Sequence, residues 1–129
     1  MSKPASKPPN QRQLRVGEEI RHVLAGIFQR GECYDPEIQR TPITVSEVRI
    51  SPDLKNATAY FMPLGGLRRE EVLDALIRNA PIMRKLVSDK MKLRYAPRIA
   101  FKLDTSFDEA HRIELLLRKP EVARDLEEK

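Results

Sequence analysis

Two segments rich in β-branched residues, joined by a short turn, constrain this fold more than any other feature of the chain. The first, Ile43–Ile50, has the sequence ITVSEVRI, and the second, Asn56–Met62, has the sequence NATAYFM. Ser51–Lys55 between them contains proline and aspartate, which are typical of turns. Because so short a link suits antiparallel neighbours, the sequence predicts a β-hairpin. The apolar alternation slips by one residue at Ser46 and Glu47, which favours a β-bulge there.

Amphipathic helices are predicted on both sides of the hairpin. The first runs from about Gln11 to Arg30, where apolar residues recur at helical spacing, and Gly31 stands at the C-cap position. A second helix begins near Arg69. Pro81 then interrupts the helical pattern, since proline lacks a backbone donor and clashes with the preceding turn.

A helix break is therefore predicted at Asn79, Ala80 and Pro81. The third helix that follows is expected to turn Ile82, Leu86 and Val87 inward. Residues 99–103 alternate in polarity and predict a third strand, and residues 106–109 have the spacing of a capping box that opens a last helix. The order is αββααβ plus a C-terminal helix. This is an α+β fold with its helices packed on one face of a three-stranded sheet.

The length of 129 residues suits one domain. Residues 1–10, with three prolines and two lysines, predict a disordered basic tail. The folded domain is expected to span residues 11–119, and residues 120–129 to form a charged C-terminal tail.

Positive charge is concentrated in one part of the chain, whose formal net charge is +5. Between Arg78 and Lys102 lie eight basic residues and one acid, Asp89. These bases are either the solvated faces of a helix and a loop or a surface that attracts phosphate and releases its counterions. Since one acid opposes eight bases, we favour the phosphate surface. Tyr95, inside this stretch, is either a platform for a base or a half-buried ring.

No catalytic or metal-binding constellation is visible, and we expect neither an enzyme nor a cofactor. The single cysteine, Cys33, excludes an intramolecular disulfide. His22 and His111 are too few and too distant to complete a zinc site with it, and both are interpreted as packing residues. No stretch approaches the ~20 apolar residues of a membrane span, and no apolar run of the signal-peptide kind follows the N-terminal lysines. We therefore expect a cytoplasmic protein.

Several separated stretches, in the order in which they occur, resemble the bacterial ribosome-binding factor A family. The resemblance extends from about Asn10 to Lys119. The stretches that carry it are RQLRV at 12–16, EI at 19–20, ITVSEVRISPDLKNA at 43–57, IMR at 82–84, MKLR at 91–94 with Pro97, FKLDTS at 101–106, RI at 112–113 and LL at 116–117.

The resemblance implies a KH-like domain of type II topology that lacks the Gly-x-x-Gly loop of ordinary KH domains. It also implies a factor that binds the free 30S subunit and its 16S rRNA, assists late maturation including the 5′ end of that RNA, and supports growth in the cold. Family members carry an Ala-x-Gly pattern at the helix kink. Here Asn79, Ala80 and Pro81 stand in its place, so proline preserves the break while the close backbone approach that glycine permits is affected.

In this interpretation the basic residues bind 16S rRNA and the protein acts as a monomer. The expected phosphate contacts are Arg78, Arg84, Lys85, Lys90, Lys92, Arg94 and Arg98, with Arg12 and Arg15 as auxiliary contacts. The alternative is a protein–protein adaptor that uses the charged segment 104–129, with RNA contact incidental.

Overall fold

The computed structural model describes residues 8–91 and 96–106. The elements in chain order are α1 (Gln11–Arg30), α2 (Pro36–Arg40), β1 (Ile43–Ile50), β2 (Asn56–Pro63), a 3-10 turn (Leu64–Gly66), α3 (Arg69–Arg78), α4 (Ala80–Met91) and β3 (Arg98–Leu103). The predicted order is confirmed over this range, with the short helix α2 as an addition. The predicted C-terminal helix and C-terminal tail lie outside the described residues, as does most of the N-terminal tail.

The three strands form one mixed sheet in the order β1-β2-β3. β1 and β2 pair antiparallel from Ile43 opposite Pro63 to Ile50 opposite Ala57, which confirms the hairpin. The register shifts between Val45 and Glu47, which confirms the bulge. β3 pairs parallel with β2. A parallel neighbour requires a crossover, and α3 and α4 provide it.

The N-terminus of α1 is tied to the end of β1 by one glutamine. Asn10 and Gln13 form a reciprocal capping box, in which each side chain accepts the backbone N–H of the other. The Gln13 amide nitrogen also donates to the carbonyl oxygen of Ile50, at 2.9 Å. Because Gln13 is buried, this hydrogen bond fixes the start of α1 beside the end of β1.

The core lies between the helices and one face of the sheet. Phe61 and Phe101, on neighbouring strands, meet edge to face with ring centroids 6.4 Å apart. The largest fully buried side chains are Phe61, Ile20, Leu24, Ile27, Leu76, Met83, Val72 and Val87. Alternate residues of β1 and β2 are buried, as expected for strands that turn one face to a core.

Two details of the expected packing are wrong. Ile82 was expected to face inward, but it is 52% exposed, and Met83 is buried with Val87 instead. The helix restarts at the break, where the Met83 N–H donates to the Asn79 carbonyl. The spacing of apolar residues in α3 therefore does not continue into α4, and a different set of α4 side chains faces the core. His22 is exposed rather than packed, and its ring lies 3.3 Å from Glu18.

Gly17 is the point at which α1 approaches β1 most closely. A Cβ atom built on Gly17 would lie 2.5 Å from the carbonyl oxygen of Val48. That oxygen belongs to the backbone of β1, where Val48 pairs with Ala59 of β2, so it cannot move aside without displacing the strand.

We expect Gly17→Ala to lower the free energy of unfolding by about 1–3 kcal/mol, because overpacking forces the helix off the sheet. Urea unfolding followed by far-UV circular dichroism measures the change. Gly26→Ala, in the same helix, is the matched control. Its new Cβ would meet only the guanidinium end of Arg30, at 2.9 Å, which can swing away. Since alanine is the better helix former, this control should be neutral or stabilising by up to about 1 kcal/mol. Equal losses in both variants would contradict the proposed role of Gly17.

Candidate nucleic-acid interface

One end of the sheet brings together three segments that are distant in sequence. The hydrogen bond from Gln13 to Ile50 places the first turn of α1 there. The backbone N–H of Arg98, at the start of β3, donates to the Lys55 carbonyl at 2.8 Å. The exposed basic residues of these segments, together with Arg84, are named here the basic end: Arg12, Arg15, Lys55, Arg84 and Arg98.

Arg84 connects α4 to the basic end through a backbone carbonyl. Its Nε and Nη2 atoms donate to the Ala96 oxygen at 3.1 and 2.9 Å. A guanidinium has five N–H donors, so this contact leaves donors available on an exposed side chain. Arg84 therefore both positions the chain that leads into β3 and remains able to bind an anion.

The turn between β1 and β2 contributes one acid to this region. The Asp53 carboxylate accepts the Ser51 hydroxyl at 2.6 Å and the Lys55 N–H at 3.0 Å. These hydrogen bonds, the one from Ser51 first, hold the pKa of Asp53 below its ordinary value. The carboxylate shapes the turn that presents Lys55, a basic residue that the charge analysis of residues 78–102 missed.

Two of the expected phosphate contacts already have acidic partners. Lys90 lies 3.1 Å from Glu32, and Arg78 lies 3.2 Å from Asp35. A third pair joins Arg68 to Glu37, with one hydrogen bond of 2.8 Å. The three acids all lie between α1 and the end of α2, and together they are named the acidic loop. They hold this loop against α3 and α4 and lower the charge that Arg78 and Lys90 present.

Asn79 forms the break between α3 and α4. Its backbone angles, φ −99° and ψ 6°, leave the helical range. Its N–H and its side-chain amide both donate to the Ala75 carbonyl, at 3.0 and 2.7 Å. The same amide donates to Asp35 at 3.0 Å. The break is therefore held by two polar side chains in addition to Pro81 in the first turn of α4.

Asp35 receives several donors at this position. Hydrogen bonds from Asn79 and from the Glu37 N–H, together with the Arg78 guanidinium, hold the pKa of its carboxyl below the ordinary value despite partial desolvation. Asp35 also caps α2, with Pro36 in the first helical turn. An aspartate followed by proline is a helix-start signal. This signal could have predicted α2, which the sequence analysis missed.

The remaining predicted residues fall into two groups. Arg12, Arg15, Lys85 and Arg98 are exposed, and the described residues provide no acidic partner for them. Lys92, Arg94 and Tyr95 lie outside the described residues. Ala80 is half-buried, and Pro81 is exposed.

The described residues contain no cluster of three side chains able to hold a metal ion. Cys33 is buried, and desolvation raises the pKa of its thiol, which disfavours the nucleophilic thiolate.

Residues 8–91 and 96–106 include no helix with the length and apolar character needed to cross a membrane.

Comparison with known proteins gives a consistent result. The family model of ribosome-binding factor A matches residues 12–117. A ribosome-binding factor A from Methylobacterium radiotolerans is 50% identical over 125 residues, which cover 97% of this chain and 88% of that protein.

Solved structures show the same fold. A Thermotoga maritima protein is 27% identical with a TM-score of 0.61, covering 75% of this chain and 91% of that one. A model of the Thermus thermophilus ribosome-binding factor A, fitted into the cryo-EM map of a 30S complex of that factor, is 24% identical with a TM-score of 0.58, covering 69% of this chain and 91% of that one. These likenesses and the strand order confirm a KH-like α+β domain of type II topology.

The acid sensitivity of the fold should depend on Asp35. Its pKa is lower in the folded protein than the ordinary value of 3.8. Its contacts therefore stabilise the fold above that value and are lost as the pH falls through the lower, folded pKa. Asp35→Asn should reduce the free energy of unfolding at neutral pH, because an amide hydrogen then faces the donors of Asn79 and Arg78. The difference from the parent protein should shrink as the pH falls below 3.8 and through the folded pKa.

Urea unfolding at a series of pH values measures this difference. Asp89→Asn is the control, since Asp89 is exposed on α4 and the described residues give it no partner. A difference for Asp35→Asn that stays constant with pH would count against the role of the carboxylate charge.

Proposed function

Because the chain belongs to the ribosome-binding factor A family, we propose that it binds the free 30S subunit through 16S rRNA and assists late maturation of that subunit. The maturation step includes processing of the 5′ end of 16S rRNA. The proposal places the protein in the cytoplasm, as a monomer, with particular importance in the cold.

The basic end is the observation that carries this proposal. Three segments of the chain meet there, and their arginine and lysine side chains are exposed. RNA backbone is recognised by such groups, because each neutralised phosphate releases counterions. The described residues offer few exposed rings, which favours docking on folded RNA through its backbone over serial stacking of bases.

The proposed action is binding without catalysis. A rigid α+β scaffold holds the basic end in one geometry, so it favours the RNA conformation whose phosphates match that geometry. An RNA held in this way presents its 5′ end to processing enzymes without any reaction by this chain. RNA helices are more stable in the cold and rearrange more slowly, so a factor that stabilises one conformation matters more there.

Ion pairs in the acidic loop suit the same role. The Arg78 side chain stays 61% exposed while it pairs with Asp35, so a phosphate can reach it and replace Asp35 as its partner. Lys90 can exchange Glu32 for a phosphate in the same way. The adaptor alternative requires a surface within residues 104–129, most of which lie outside the described residues, and no described feature favours it.

We expect Arg15→Gln with Arg98→Gln, two exposed residues of the basic end, to weaken binding to purified 30S subunits. Each lost phosphate contact should reduce the slope of log affinity against log salt by about 1, so the double variant should lose about 2. Sedimentation of labelled protein with 30S subunits over a series of KCl concentrations measures affinity and slope together.

Arg40→Gln is the matched control. Arg40 is exposed at the end of α2, next to the start of β1 and therefore at the sheet end opposite Lys55 and Arg98. This variant loses one positive charge away from the basic end and should keep the parent slope. An unchanged slope in the double variant would remove Arg15 and Arg98 from the interface, and absence of binding by the parent protein would refute the function.

A further inference from the structure

Tyr34 is the most exposed aromatic ring in the described part of the chain. It is 85% exposed, whereas Phe61 and Phe101 are buried and Phe28 and Tyr60 are half-buried. A single exposed apolar side chain is ordinary by itself. What distinguishes Tyr34 is the backbone that carries it and the surface beside it.

The residues on both sides of Tyr34 are fixed. Cys33 is buried, at 1% exposure. Asp35 caps α2 and contacts both Asn79 and Arg78. The ring therefore projects from an anchored backbone, which reduces the conformational entropy lost when a ligand binds it.

The surface next to Tyr34 is both apolar and basic. Asp35 accepts a hydrogen bond from Asn79 at the helix break, so the backbone of Tyr34, one residue away, lies near the break. Ile77 and Ile82, on the two sides of the break, are 57% and 52% exposed. Tyr34, Ile77 and Ile82 are together named the break patch. Arg78 and Lys85, on the same two helices, supply positive charge next to it.

We propose that Tyr34 stacks on an unpaired base of the bound RNA, while the neighbouring cations bind the phosphates of that nucleotide. This inference rests on the proposed function and adds a ligand feature to it, a nucleotide outside the paired helices. An aromatic face for the base and cations for the flanking phosphates form the combination that recognises such nucleotides. Charge complementarity selects RNA over an apolar protein segment as the occupant, because Arg78 and Lys85 border the patch.

Arg78 connects the two parts of this contact. It pairs with Asp35 in the free protein, one residue from Tyr34. When a nucleotide stacks on Tyr34, its phosphate comes within reach of the exposed Arg78 guanidinium and replaces Asp35 as its partner, while Asp35 keeps its hydrogen bonds from Asn79 and the Glu37 N–H. Base and phosphate are thus bound by adjacent groups.

The test uses two hairpin RNAs with the same number of phosphates. One carries a single bulged adenosine in its stem, and the other carries an abasic nucleotide at the same position. The parent protein should bind the bulged adenosine about tenfold more tightly, a typical effect of one stacked base. Tyr34→Leu should bind both RNAs with the affinity that the parent shows for the abasic one. Tyr34→Phe, which keeps the ring, should restore the preference.

Fluorescence anisotropy at fixed salt measures these affinities, and thermal unfolding should be unchanged because Tyr34 is exposed. Equal affinities of the parent protein for both RNAs would overturn the inference, as would a preference that Tyr34→Leu retains. If Tyr34→Leu weakens binding to 30S subunits but not to protein-free RNA, the break patch contacts a ribosomal protein and the inference is wrong.

Failure of this inference is distinguishable from failure of the proposed function. A parent protein that binds 30S subunits with the salt slope expected of the basic end, yet shows no preference that depends on Tyr34, overturns the stacking role alone. A parent protein that binds neither 30S subunits nor RNA overturns both.

Discussion

The parallel pairing of β3 with β2 is the constraint on which the rest of this structure depends. A parallel neighbour cannot be reached by a tight turn, so the chain must cross the sheet between Pro63 and Arg98. The crossing segment must also cover the part of the apolar face at β2 and β3 that α1, which packs on β1, leaves open. α3 and α4 meet both requirements, and the break at Asn79 lets two short helices follow a sheet that one straight helix would leave partly uncovered. The same pairing brings Arg98 to Lys55 and so creates the basic end.

Electrostatics then divides the helical surface into two regions. Along the acidic loop, carboxylates satisfy Arg68, Arg78 and Lys90, so the positive charge there is largely balanced. At the basic end the charge is opposed mainly by Asp53, whose carboxylate is engaged in the turn. The unbalanced positive charge is therefore greater at the basic end than along the acidic loop. In the complex proposed above, Arg78 and Lys90 exchange a carboxylate for a phosphate only at short range.

Local patterns in the sequence predicted the elements and not their tertiary neighbours. The hairpin, its bulge and the Gly31 cap depend on residues a few positions apart, and all three are confirmed. The prediction that Ile82 lies on the inward face of α4 was wrong. After a break, which side chains face the core depends on the residue at which the helix restarts. Lys55 was missed because its contact with Arg98 depends on the register between β2 and β3, and the two residues are 43 positions apart in the sequence. The position of Tyr34 near the break likewise depends on the hydrogen bond between Asp35 and Asn79, which are 44 residues apart and meet only in the folded chain.

The helix break shows how a departure from the family pattern changes what a site can offer. A glycine there would leave room for RNA to approach the backbone. In this chain Pro81 supplies no N–H, and Asn79 uses its own N–H and its amide on the Ala75 carbonyl. Neither Asn79 nor Pro81 therefore has a free main-chain N–H for RNA. The proposal accordingly places recognition at this position on side chains, those of Tyr34, Arg78 and Lys85. Tyr34, rather than the break itself, is therefore the place to test it.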